Sequence, residues 1–263
     1  MIAAAVETDS LSQGGKGPSE NWMVLLEDVV VSFDGFKALN INRLCVARNE
    51  LRVVIGPNGA GKTTMCDVIS GKTRVASGRV FFDGVETTHR SDVQIARLGV
   101  GRKFQTPTVF DGLTVYENME LTLPGRRGVL RTLFAREAPE QREAILSILH
   151  RVHLTDVLHT PAKYLSHGQR QWLEISMLIL ADPKLLLVDE PAAGLTDSET
   201  ELTSELLLEL AGRHTIIVIE HDMEFVRRLN SKITVLVEGR VLAEGSLDQV
   251  QANPAVIEAY LGR

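Results

Sequence analysis

Gly56-Pro57-Asn58-Gly59-Ala60-Gly61-Lys62-Thr63-Thr64 is the stretch whose reading decides the fold. An apolar run, Leu51 to Ile55 broken only by Arg52, leads into it, and a helix-like segment, Met65 to Ser70, leaves it. Strand, glycine loop and helix in that order make a phosphate-binding loop. Gly56, Gly59 and Gly61 let the backbone take unusual dihedrals and approach an anion closely. Successive N–H groups then point inward, and the following helix presents its positive end. Lys62 is placed to reach the outer phosphates, and the Thr63 hydroxyl to ligate Mg2+. A glycine-rich turn with a surface lysine would not account for the flanking strand and helix. The loop specifies a nucleotide and leaves its use open.

Composition narrows the class. The chain has 263 residues, 44% hydrophobic and 24% charged, enough for a sizeable core in one large domain or two small ones. A net charge of −6 argues against a nucleic-acid partner, whose usual sign is a basic footprint. With two cysteines, Cys45 and Cys66, a disulfide framework is not expected and a reducing cytosol fits best. No apolar run approaches the length of a membrane span. Met1 to Val6 is apolar but short, without the basic start of a secretory signal.

Outward from the loop, residues 1–21 hold Gly14, Gly15, Gly17 and Pro18 among polar residues and read as a disordered leader. One ordered region is expected over 22–263. Val24 to Leu26, Val29 to Val31 and Ala38 to Ala47 read as strands of an antiparallel sheet, with a turn at Asp34-Gly35. Phe33 fits either a stacking platform for adenine or a plain core position. Further on come a strand at Gly78 to Phe82, a short helix at Val93 to Leu98 and a strand at Val100 to Phe104, followed at once by Gln105. A helix is expected from near Thr114. Pro124 to Gly128 is a locally basic loop, solvated or docking. Residues 139–153 carry Ile145, Ile148, Leu149 and Val152 at helical spacing. Leu165-Ser166-His167-Gly168-Gln169 precedes a helix from Gln171 to Leu180.

Leu185 to Val188 and Thr215 to Ile219 are continuous apolar runs, as in strands buried on both faces of a parallel sheet. The first ends in Asp189-Glu190 and the second in Glu220-His221-Asp222, at the carboxyl ends where open α/β sheets bind ligands. Between them, 198–211 is a leucine-rich helix. A hairpin around Glu238-Gly239 and two short helices, Leu247 to Gln251 and Ala255 to Leu261, close the chain. Phosphoryl transfer needs charge neutralisation, in-line geometry and a positioned water. Glu190, beside Asp189 at a strand end, has the type and place to orient that water.

Phe33, the loop at 56–64, Gln105, Leu165 to Gln169, Asp189-Glu190 and His221 stand in an order that resembles the ATP-binding subunit of ABC transporters, from about residue 22 to the end. The resemblance implies an α/β fold: an ABC-type nucleotide-binding domain with a mostly parallel phosphate-loop core, an N-terminal antiparallel β subdomain and a helical signature subdomain at about 106–180. It implies ATP hydrolysis with Mg2+. In that family's terms Phe33 looks like the adenine-stacking aromatic, and Gly56, Asn58, Gly59, Ala60, Gly61, Lys62, Thr63 and Thr64 like the phosphate loop. Asp189 resembles the carboxylate that holds the metal's hydration shell, with Thr63 and Gln105 on the same ion. Glu190 resembles the general base, His221 the γ-phosphate switch, and Gln105 the reporter to the membrane partner. Ser166, Gly168 and Gln169 resemble the signature residues that complete the site of an opposing subunit. They begin a helix whose amides can address phosphate, and a second chain, with two ATP molecules sandwiched between two cassettes, is the economical partner.

Two departures stand out. His167 replaces the commoner glycine of the signature, and Thr196 stands where many members have aspartate, which puts the usual contact between subunits in doubt. Gly101 to Phe110, Leu113 to Asn118 and Asn253 to Gly262 resemble the branched-chain amino acid and urea importer group. Lys62 to Met65, Asp67 to Arg74 and Glu220 to Arg227 are similar to its urea subunit. That group implies a second ATPase, different or identical, two transmembrane permeases and an external solute-binding protein, with this chain peripheral on the cytoplasmic face of the inner membrane and no nucleic acid involved. A docking surface is expected around Gln105 to Asn118, with Val109, Phe110 and Tyr116 either exposed on it or packed inside. The alternatives are a branched-chain amino acid importer, a lipid or lipopolysaccharide exporter, and a non-transport ABC ATPase, which usually has two cassettes or a long coiled-coil insert.

Overall fold

A computed structural model describes residues 21–103, 109–123 and 138–261. The leader, Gln105 with its neighbours from Phe104 to Thr108, and the Pro124 to Gly128 loop lie outside the described residues. The apolar runs read as buried strands pair side by side. β3 (Leu51–Ile55) lies between β8 (Thr215–Ile219) and β9 (Lys232–Val237). β7 (Leu185–Asp189) and β6 (Val100–Lys103) continue the sheet beyond β8, and β10 (Arg240–Gly245) closes the far edge. All neighbours are parallel except the β9–β10 hairpin.

Every residue of β3, β7 and β8 is buried, because both faces of this sheet are covered. Alternate side chains divide between two cores. Val53, Leu186, Val188, Ile216 and Val218 enter one, with Trp172, Leu173, Leu207 and Phe225 from the helices. Val54, Leu185, Leu187, Ile217 and Ile219 enter the other, with Met65, Val68 and Ile69 of α1 (Lys62–Ile69) and the inner face of the antiparallel sheet. Arg52, fully buried within β3, is satisfied by Glu50 at 2.6 Å, Thr234 at 2.7 Å, Glu244 and the Cys45 carbonyl.

The antiparallel sheet runs β2 (Phe36–Ala47), β1 (Trp22–Phe33), β4 (Ser77–Phe82), β5 (Val85–Glu86). The two short strands expected at 24–26 and 29–31 are one strand. Asp28, at φ 50°, shifts its register against β4 between Glu27 and Val30 without ending it. The helices are α2 (Asp92–Leu98), α3 (Val115–Glu120), α4 (Pro139–Arg151), α5 (His167–Leu180), α6 (Asp197–Leu210), α7 (Met223–Leu229), α8 (Leu247–Gln251) and α9 (Pro254–Leu261). α5 begins four residues before the Gln171 expected from apolar spacing, because Ser166 and Gln169 form a capping box. α7, which the sequence reading passed over, is capped by Asp222, whose carboxylate accepts from the amides of Glu224 and Phe225.

Candidate nucleotide site

The carboxyl ends of β3, β7 and β8 converge, since parallel neighbours end on one side of a sheet. β3 runs into the glycine loop. Gly61 caps α1 at φ 94°, and a Cβ there would stand 2.6 Å from the Ala38 carbonyl. Only a glycine fits that left-handed, crowded position. The loop carries α1 against β2 and leaves a cavity of about 390 Å3 lined by Phe33, Phe36, residues 58–64, Glu190 and Ile219. Phe33 is 51% exposed at its wall and is no core residue.

Inside the loop the Lys62 ammonium donates to the carbonyls of Gly56 at 2.8 Å and Pro57 at 3.1 Å. Burial lowers its pKa, while the charges of Glu190 and Asp189 pull it back up. The Thr63 hydroxyl donates to Asp189 Oδ2 at 3.4 Å. Asp189 Oδ1 is buried with no hydrogen-bond partner among the described residues. Burial, then Glu190, raise the Asp189 pKa, and Arg102 works against them. A hydroxyl, a buried carboxylate and an oxygen without a partner, all hard donors, suit Mg2+. No cluster of three acidic, His or Cys side chains that could hold a metal occurs among the described residues, so such an ion would need phosphate and water oxygens as well.

Glu190 follows β7 with φ 48°, its amide held by the Ile219 carbonyl at 2.9 Å. His221 Nδ1 stands 3.4 Å from Glu190 Oε1. Phe33, the loop, Asp189, Glu190 and His221 thus gather at one place. Ser166, Gly168 and Gln169 are not among the residues lining that cavity. Of the three apolar residues expected at a docking surface, Phe110 is exposed, while Val109 and Tyr116 pack against the core.

Two residues received no role from the sequence. Glu220 is 1% exposed, and its carboxylate accepts from the amides of Ala192 at 2.9 Å, His221 at 3.0 Å and Asp222 at 3.3 Å. It therefore ties the turn after Glu190 to the turn bearing His221, and burial raises its pKa. The signal was an acid ending an otherwise apolar strand. Lys103 is equally buried, with Nζ 3.8 Å from Glu174 of α5, and the charges of Asp189, Glu220 and Glu190 reach it too. A cation inside the strand-like run 100–104 was its signal.

A strand, phosphate loop and helix facing an Asp-Glu strand end and a histidine define a nucleotide-hydrolysing cassette. The ABC transporter family model matches residues 39–193, and a model described as branched-chain amino acid ATP-binding cassette transporter matches 240–263. The high-affinity branched-chain amino acid transport ATP-binding protein BraF of Pseudomonas aeruginosa is 36% identical over 243 residues, covering 89% of this chain and 95% of that protein. A nucleotide-free ATP-binding cassette from an ABC transporter superposes with TM-score 0.79 at 29% identity, covering 92% of this chain and 100% of that one. A dimeric cassette in a post-hydrolysis state, bound to ADP and Pi, gives 0.74 at 27%, covering 86% and 99%. The chain belongs to the ABC transporter family, as an ATP-hydrolysing ATP-binding subunit. No helix of the described residues is long and apolar enough to cross a membrane.

Proposed function

We propose that this subunit energises a small-solute importer, hydrolysing ATP between two cassettes docked on a pair of transmembrane permeases at the cytoplasmic face. The observation that supports it is the convergence of Lys62, Asp189, Glu190 and His221 at one end of the parallel sheet. The adenine lies on Phe33. Lys62 exchanges its bonds to Gly56 and Pro57 for phosphate oxygens. Thr63 and Asp189, with Gln105, would hold Mg2+, which would neutralise phosphate charge. Glu190 orients a water for in-line attack on the γ-phosphorus and takes its proton as the bond to the β-phosphate oxygen breaks. His221 contacts the transferred phosphoryl group. Ser166, Gly168 and Gln169 serve the site of the second cassette, which the importer group supplies as a different chain or a second copy. The stretch 105–118, in which Phe110 is exposed, offers the docking surface. The external solute-binding protein meets the permeases and not this chain.

The finer reading of the solute is urea, from the likeness of residues 62–65, 67–74 and 220–227 to the urea subunit. Branched-chain amino acids are the second reading, favoured by the match over 240–263 and by the name of the Pseudomonas relative. Deleting the gene and measuring uptake of labelled urea and labelled leucine separates them. Loss of urea uptake alone supports the first, loss of leucine uptake alone the second, and loss of neither removes the importer.

A further inference from the structure

Two of the departures from the family pattern, His167 and Thr196, lie at the same junction, where the start of α5 meets residues 193–199. His167 is the first residue of α5. With its ring hydrogen on Nε2, it donates to the Ala193 carbonyl at 3.2 Å. The side-chain amide of Gln171, one turn along the same helix, donates to the same oxygen at 3.2 Å. The Gln171 oxygen is buried without a hydrogen-bond partner among the described residues, so this amide is bound through its nitrogen, to the Ala193 carbonyl. Beside it the His167 ring packs so closely on Gly194 that a Cβ there would lie 3.3 Å from it.

The next residue of the helix makes a second contact. Gly168 abuts the Glu199 carboxylate, and a Cβ on Gly168 would stand 2.6 Å from its carboxyl carbon. That carboxylate accepts from both the amide and the hydroxyl of Thr196 at 2.9 Å. In this chain Thr196 therefore caps α6, and the Glu199 it binds is the surface on which the signature turn rests. His167 and Gly168 together seat the start of α5 on residues 193–199, the end of the loop before α6 and that helix's first turn.

That loop begins at Glu190. The Ala193 amide donates back to the Glu190 carbonyl at 3.2 Å, and the Ala192 amide is held by Glu220. The turn carrying Glu190 is thus clasped from two sides, by Glu220 from the core and by His167 with Gln171 from the signature helix. We infer that His167 is a positioning residue for hydrolysis within its own chain. It binds the Glu190 turn to the signature helix, so that whatever settles against Ser166 is transmitted three residues along the loop to Glu190. The inference rests on the proposed role of Glu190 as base. A misplacement near 1 Å at such a group can cost as much as about a hundredfold in rate.

The test uses the full chain and three substitutions, His167→Phe, His167→Gln and Glu190→Gln. His167 is exposed, so the fold survives its replacement. Phe keeps a ring and removes the donor, and Gln keeps an N–H within reach. Expected for His167→Phe is a fall in kcat of about tenfold to a hundredfold, with KM for ATP within about twofold of wild type. Amide hydrogen exchange over 191–195, followed by mass spectrometry, should speed up in the same variant. His167→Gln should restore most of kcat and the protection of 191–195. A wild-type kcat in His167→Phe, a deficit confined to KM, or unchanged exchange in the loop would each overturn the inference. Glu190→Gln should lose turnover and keep wild-type exchange. Wild-type turnover there removes the base assignment, while the exchange data still decide whether His167 holds the loop.

Discussion

The nucleotide cavity and the signature turn are made by one device, a helix start that follows a loop, yet they end in opposite conditions. At the cavity the side chains look inward. Lys62 lies on the carbonyls of Gly56 and Pro57, and Thr63 faces Asp189. At the signature turn Ser166 is exposed, and its hydroxyl accepts from the Gln169 amide at 3.2 Å while its own amide donates to Gln169 Oε1 at 3.0 Å. The first place is a binding surface with cation, hydroxyl and carboxylates already assembled. The second is a finished helix end whose dipole faces outward, and on the proposed reading it becomes part of a site when another surface is brought to it. On the proposed reading one chain carries a binding cavity and an outward half-site, joined by the contacts of 190–199.

Three substitutions probe that contrast, the largest effect first. Lys62→Ala removes the cation at the cavity, and no other lysine or arginine among the described residues lines it. Turnover should fall by at least about a hundredfold, with a circular-dichroism spectrum like that of wild type. Appreciable turnover in this variant would mean that the cavity does not hold the phosphates. Phe33→Ala takes away one ring-on-base contact, worth about 1–3 kcal/mol, so the Kd for ATP should rise by about 5- to 150-fold. An unchanged titration would pass the stacking role to Phe36, the other aromatic at the same wall. Ser166→Ala should do neither. It removes a helix cap worth about 1 kcal/mol, lowering Tm by about 2–4 °C, and leaves ATP binding by the isolated chain alone. A changed ATP affinity there would place the signature serine in its own chain's cavity and erase the distinction.

The sequence made the first region legible because its causes are local. Glycine, strand and helix signals adjoin one another around 51–70, and the apolar runs 185–188 and 215–219 can only be strands covered on both faces. The second region is set by contacts between segments distant in the chain. His167 was visible as an odd residue, but nothing near it in sequence names Ala193 as its partner. Glu220 and Lys103 were hidden for a related reason. A charged residue at a strand end is usually solvated, and only the packing of the neighbouring turns and of α5 turns these two inward. α7 escaped notice because its cap, Asp222, and its apolar residues Phe225, Val226 and Leu229 follow directly on His221, which drew the reading to itself. Phe33 stayed open between core and surface until the hairpin placed it on the cavity wall.

Asp83 supplies the smallest effect and tests whether the two regions are insulated from the opposite end of the fold. It sits in the β4–β5 turn and binds Lys184, just before β7, at 2.5 Å and also Arg48, just before β3. These contacts fasten the antiparallel sheet to the start of the parallel strands and touch no residue of either site. The Lys184 hydrogen bond, with Arg48 adding to it against the opposing effect of burial, holds the Asp83 pKa below its ordinary 3.8. The unfolded chain therefore binds more protons than the folded one between those two values, and stability rises with pH across that window. The contribution is complete above pH 3.8 and is lost as pH falls through the lower, folded value. Both cations are more than a third exposed, so screening keeps the sum at about 1 kcal/mol or less. Asp83→Asn should lower the urea midpoint at pH 7 by that small amount, and the difference from wild type should close as both are titrated below pH 3.8. ATP affinity and kcat should match wild type throughout. A loss of kcat with unchanged stability would show that the clamp at the far end of β7 reaches Asp189 and Glu190 along the strand, and the insulation would fail.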